Sequence, residues 1–299
     1  MTEPAEALLP LPSGPGEAAE TAQGSPSLSP SRASDFMTCP LLYRFRVIDR
    51  IPEKPSRDAV RGTVVHQVLE DLFDLPSSDR TVDRAAAMLP VAWGLVREQD
   101  PSVAELFHSP DEAAESLASA VPLVETYFRL EDPTAIEPAE RELRVTCTLD
   151  DGLVLRGYVD RLDRNAAGDT RVVDYKTGKA PGEAFEQKAL FQMRFYALVL
   201  WRATGRLPRL LQLLYLGNEQ MLRYEPDESD LLATERKLKA LWAAIQRATE
   251  TGDWRASPSR LCDWCDHHER CPAFGGTPPP LPEHAAGPGT APTQAPLPG

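Results

Sequence analysis

Between Glu142 and Lys176 the hydrophobic pattern runs at period two. The segments ELRVTCTL, LVLRGYVDRLD and RVVDYK are joined only by the turns DDG and RNAAGDT. Strands this close in sequence pair as an antiparallel meander, so the chain must build a sheet here and cover it with whatever lies on either side. Upstream, the spacing is helical. Phe36, Met37, Leu41 and Phe45 are interrupted by Pro40, and Val65, Leu69 and Leu72 form a stripe within RGTVVHQVLEDLFDL. Residues 80–130 read as two or three further helices. Downstream come a long helix (EAFEQKALFQMRFYALVLWRAT), a second hairpin (LLQLLYLGN and QMLRYEP) and an amphipathic helix (ESDLLATERKLKALWAAIQRATE). That order predicts an α/β domain with a mixed central sheet flanked by helices. No internal repeat is present.

Composition sets the outer limits. The chain has 299 residues with 42% hydrophobic, enough for a core, and 29 prolines that gather at its ends. Residues 1–30 and 276–299 are rich in Pro, Ala and Gly and are expected to be disordered tails, leaving a domain over 31–275. The N-terminal stretch lacks the basic and apolar regions of a signal peptide. No apolar run reaches the ~18 residues of a membrane span. A cytoplasmic protein is expected, and in that compartment five cysteines suggest a metal or cluster site before disulfides. Of the net charge of −13, Glu3, Glu6, Glu17, Glu20 and Glu283 in the tails account for five, leaving −8. A body that acidic does not bind nucleic acid indiscriminately, and any polyanion must meet a local basic track.

The meander carries charges where it ends. With the second hairpin centred on Ala166–Ala167, Asp160 faces Asp174 to within one register step. Asp174 and Lys176 share a face by alternation. Two carboxylates and an ammonium thus converge beside a hydrophobic sheet. A hard divalent cation, Mg²⁺ or Mn²⁺, resolves the repulsion of the acids and suits oxygen ligands. Lys176 would then orient or deprotonate an attacking water, or neutralise a phosphate. His66 and Glu70 share a helix face, as do Gln192 and Tyr196, and each pair is placed to complete such a site. The competing readings are plain ones. Asp160 and Asp174 pair with Arg161, Arg164 or Lys176, His66 is a structural histidine, Glu70 is a solvated helix residue, and Gln192 and Tyr196 are the polar edge of a helix. TGKA lacks the first glycine and the hydroxyl residue of a phosphate loop, so no ATP motor is expected.

Near the C-terminus, Cys262-x2-Cys265-x5-Cys271 has metal-ligand spacing within the segment 260–273. A fourth thiolate is needed for a tetrahedral zinc site or an iron–sulfur cluster. Cys147 lies mid-strand, where a small buried residue is the natural reading, so Cys39, beside Pro40, is the expected fourth ligand. His267 and His268 are substitutes in a zinc site.

Taken in order over residues 29–275, SPSRASDFMTCPLLYRF, RGTVVHQVLE, GYVDRLD, VVDYKTGK, QMRFYA and CDWCDHHERCP make the chain resemble RecB-like exonucleases of the PD-(D/E)XK superfamily, in particular the Cas4-like group with iron–sulfur nuclease domains. The resemblance implies a restriction-endonuclease-like core with a cysteine-clamped C-terminal segment. It implies metal ligation by His66, Asp160, Asp174 and the Tyr175 carbonyl, catalysis by Lys176, and support from Gln192 and Tyr196. It also implies a [4Fe–4S] cluster on Cys39, Cys262, Cys265 and Cys271, with structural Zn²⁺ as the alternative. The expected activity is Mg²⁺- or Mn²⁺-dependent exonucleolytic hydrolysis of single-stranded DNA in repair or recombination, with a separate helicase as a partner. Arg44, Arg46, Lys179, Lys188 and Arg194 are candidate phosphate contacts, and Tyr43 and Trp264 candidate base-stacking residues. The rivals are a non-catalytic DNA-binding or scaffolding partner of a helicase and a Cas4-type CRISPR adaptation nuclease.

Overall fold

The computed structural model describes residues 27–180 and 182–282, so most of both proline-rich ends lies outside the described residues. Residues 27–30, expected to belong to the tail, are structured. A two-residue strand, β1 (Ser27–Leu28), leads into α1 (Pro30–Thr38), whose N-cap Ser29 accepts a hydrogen bond from the Arg32 amide. Leu28 is fully buried, which offsets the cost of ordering this polar, proline-flanked stretch. By contacts the chain divides into two compact units, residues 55–234 and residues 28–54 with 235–282.

The first unit holds the meander. β2 (Pro138–Thr148) pairs antiparallel with β3 (Val154–Arg164), and β3 with β4 (Thr170–Lys176). Asn165 sets the β3–β4 turn, its side-chain oxygen accepting from the amides of Ala167 and Asp169. The crossover helix α7 (Glu183–Thr204) ends on Gly205 in the left-handed conformation at φ 71°. It delivers β5 (Leu210–Tyr215) parallel to β4, and β6 (Gln220–Tyr224) returns antiparallel. The order β2-β3-β4-β5-β6 is therefore mixed, as the sequence predicts.

One face of β4 and β5 packs against α3 (Arg57–Leu72), α4 (Val82–Gln99) and α6 (Val121–Leu130). Val64, Val68 and Leu72 of α3 meet Val173, Tyr175 and Leu214 of the sheet in that core. Each such side chain contributes about 1.5–3 kcal/mol on burial. Between α4 and α6 lies α5 (Pro110–Ala118), capped by Ser109. In α/β sheets the carboxyl ends of parallel strands open a crevice, and β4 ends there on Asp174-Tyr175-Lys176.

In the second unit α1 stops at Cys39, whose extended backbone (φ −161°, ψ 114°) breaks the helix before α2 (Pro40–Tyr43). This is the kink expected from Pro40. α8 (Glu228–Thr251) begins in the first unit and ends in the second, and short 3₁₀ turns carry the last cysteines. No described helix is long and apolar enough to cross a membrane.

Candidate active site and cysteine centre

Asp160 and Asp174 come together as the turn symmetry requires. The β3–β4 ladder pairs Arg161 with Val173, and the next step sets Asp160 against Asp174. Asp160 Oδ2 accepts a hydrogen bond from the Tyr175 amide at 2.7 Å, so its carboxylate is held across the strand ends. His66, on the sheet-facing side of α3, brings Nδ1 to 3.5 Å from the same oxygen and hydrogen-bonds the Tyr175 backbone. Its ring stands edge-on to the Tyr175 ring, centroids 5.9 Å apart. Lys176 Nζ lies 2.5 Å from Asp174 Oδ2, and Gln192 Nε2 donates to Asp174 Oδ1 at 3.0 Å. Tyr196, one turn along α7, hydrogen-bonds Gln192.

Glu142 is the residue that sequence reasoning missed. It lies on β2 between the pairs Arg141–Arg161 and Leu143–Val159, and so beside Asp160. Its φ of 44° is left-handed, an uncommon conformation for a glutamate. Donor atoms of His66, Glu142 and Asp160 lie within 4.8 Å of one another. His66 and Glu142 open on a groove of about 510 Å³ lined also by Gly62, Glu70 and Thr177. In ERELRV, Glu142 looks like one more solvent-facing acid, and only its position opposite the Asp of GYVD marks it.

Burial and the Asp174 charge push the Asp160 carboxyl well up from its ordinary value. Burial, with Glu70 and Asp174 nearby, pushes Glu142 up to about 6. Burial lowers His66, so its imidazole is neutral near pH 7 and has a lone pair for a metal. Burial keeps the Tyr196 hydroxyl protonated, and hence a donor. Two carboxylates that resist ionisation beside a neutral imidazole suit a divalent cation, which satisfies all three.

The ion-pair reading holds only in part. Asp174 does pair with Lys176, but Arg161 turns away from Asp160. Arg161 is fully buried and bonds Glu131 at 2.8 Å, Asp163 at 3.0 Å and the Tyr175 hydroxyl at 2.7 Å. The hydroxyl of Tyr175 is thereby anchored while its amide holds Asp160.

In the second unit Cys39, Cys262, Cys265 and Cys271 line one pocket of about 50 Å³ with Phe45 and His267, and all four thiols are free. The Cys265 thiol is raised by burial and by the three neighbouring sulfurs. Backbone amides face the sulfurs: Ser257 donates to Cys39, Ser259 to Cys262 and His267 to Cys265. Converging thiols with amide donors fit a metal–thiolate centre. Cys147 is buried in β2 and does not line this pocket.

Other expectations need correction. Tyr43 is buried and stacks on Trp254, centroids 5.9 Å apart, so it is packing rather than a base platform. Arg44 is buried against Asp49, Arg46 pairs with Asp35 and Glu53, and Arg194 pairs with Asp230, which leaves none of the three free for phosphate. Trp264 is 77% exposed.

The mixed sheet, with acids and a lysine on adjoining strand ends, defines a nuclease of the restriction-endonuclease-like class. The chain belongs to the PD-(D/E)XK nuclease superfamily, whose sequence pattern it matches over residues 27–272. It is similar to the gene 69 protein of Mycobacterium phage D29, at 25% identity over 274 residues that cover 83% of this chain and 97% of that one. Among solved structures it is similar to a candidate exonuclease from Eubacterium rectale, with a TM-score of 0.55, 14% identity, and coverage of 81% of this chain and 88% of that one. At that identity the likeness shows the fold alone.

Proposed function

We propose that the chain is a Mg²⁺- or Mn²⁺-dependent deoxyribonuclease, an exonuclease acting on single-stranded DNA in repair or recombination. The observation that carries this is the meeting of Asp160, Glu142 and His66 donors within 4.8 Å, next to the Lys176–Asp174 pair. A divalent cation there would be held by Asp160, Asp174, His66 and the Tyr175 carbonyl, with Glu142 as a further ligand. Bound, it supplies charge to stabilise the phosphate and acidity to activate a water. The chain's own groups do the rest. Lys176 orients or deprotonates that water, or neutralises phosphate charge. Gln192, hydrogen-bonded in turn to the Tyr196 hydroxyl, fixes the Asp174 rotamer.

The direct test pairs cleavage with binding. Asp174→Ala should abolish hydrolysis of labelled single-stranded DNA while the affinity for that DNA persists. Wild-type protein that binds DNA but leaves it intact with Mn²⁺ would instead mark a binding or scaffolding partner of a helicase. A Cas4-type adaptation role shares this chemistry, and pull-down of an integration complex rather than a helicase would select it.

For the cysteine centre the reading is a [4Fe–4S] cluster on Cys39, Cys262, Cys265 and Cys271, supported by the four converging thiols and their amide donors. Anaerobic purification followed by iron, sulfide and zinc analysis separates it from structural zinc.

A further inference from the structure

Past the acids of the site, the β2–β3 hairpin runs on as an amphipathic ribbon. Leu143, Val145, Cys147, Leu155 and Val159 are buried. The alternate residues Arg144, Arg156 and Tyr158 are not, and the register sets Arg144 opposite Tyr158 and Thr146 opposite Arg156. These continue two period-two series that start at the site itself: Glu142, Arg144, Thr146 on one strand and Asp160, Tyr158, Arg156 on the other. Tyr158 is 58% exposed. Among the described residues neither Arg144 nor Arg156 has an ion-pair partner, whereas the nearby Arg141, Arg161 and Arg171 of the same sheet are each engaged by acids. An aromatic ring thus stands in water beside two cations that no described acid compensates.

Spacing says what fits. Tyr158 stands two residues from Asp160, about 7 Å along the strand, and Arg156 about twice that. Steps of that size suit consecutive nucleotides of an extended strand. A planar ring takes an unstacked base, which a duplex does not offer, and guanidinium groups on either side take phosphates. We propose that Arg144, Tyr158 and Arg156 form a subsite for the single-stranded DNA segment flanking the scissile phosphate, with a base on the Tyr158 ring and phosphates on the two arginines. The proposal deepens the nuclease reading above and rests on it.

The test uses the full chain with an oligothymidylate, binding measured by anisotropy with Ca²⁺ in place of Mn²⁺ and cleavage measured with Mn²⁺. Tyr158→Ala should weaken binding and raise KM about tenfold, with kcat at saturation and Tm little changed. Tyr158→Phe, which keeps the ring and loses the hydroxyl, should restore binding. Arg144→Ala with Arg156→Ala should reduce the salt dependence of binding by about two phosphate contacts. If Tyr158→Ala binds and cleaves like wild type, the subsite is wrong and the nuclease reading stands. Equal losses on duplex and single strand would overturn the base-stacking role. If wild type neither binds nor cleaves any DNA, the nuclease reading fails and takes the subsite with it.

Discussion

Asp160 and Glu142 sit where neither ionises readily, and this makes the metal-free protein pH-sensitive. Both carboxyls are raised in the folded chain, Asp160 well up and Glu142 from 4.5 to about 6. A raised carboxyl stabilises the fold below its unfolded value and loses that contribution as pH climbs through its folded value. In EDTA, stability should therefore fall as pH rises from about 4.5 through 6, and Mn²⁺ should reverse the fall; urea midpoints across that range, with and without metal, check it. Asp160→Asn should raise metal-free stability at pH 7 by roughly 1 kcal/mol while abolishing cleavage. Glu142→Gln should weaken Mn²⁺ binding about 10-fold or more, measured by calorimetry, on the scale of losing a group that supports a metal site. Asp160 and Asp174 were legible because the β3–β4 turn fixes their register from the sequence alone. Glu142 was not, because its importance depends on the β2–β3 pairing and on a left-handed backbone that no local residue signals.

At the scale of elements, α7 and β3 are fitted together at Gly157. A Cβ there would lie 2.6 Å from Cε1 of Tyr196, so only glycine lets the α7 ring lie against the strand. Gly157→Ala should push Tyr196 out of place and lower kcat about tenfold with a smaller change in KM, whereas loss of fold would show as a lowered Tm. Behind the site, Arg161 ties β3 to Tyr175 of β4 and Glu131 after α6. Arg161→Ala should cost about 3–5 kcal/mol, read by denaturant unfolding, because Glu131 and Asp163 lose a buried cation. The elements themselves were readable, since their periods of two and about three and a half do not overlap. The glycine and the buried arginine in GYVDRLD were not, because each answers to a partner from a distant segment.

For the whole molecule, the cysteines show how far spacing alone carries. Three thiols within ten residues have metal-ligand spacing, and of the other two cysteines Cys39 stands at a helix break and Cys147 inside a strand. Cys39→Ser should release bound metal, read by elemental analysis, and Cys147→Ser should leave it in place. Which metal such thiols would hold is not legible in spacing, because zinc and iron–sulfur clusters use the same ligands. Nor does composition reveal that Leu28, inside a stretch that reads as tail, is buried. The central claim is that hydrolysis takes place where Lys176 meets Asp174. Its most direct test is cleavage of end-labelled single-stranded DNA by anaerobically purified protein with Mn²⁺ or EDTA, beside Lys176→Ala. The account predicts a Mn²⁺-dependent ladder that EDTA abolishes and the variant reduces by at least about 100-fold. Cleavage by Lys176→Ala at the wild-type rate would contradict it.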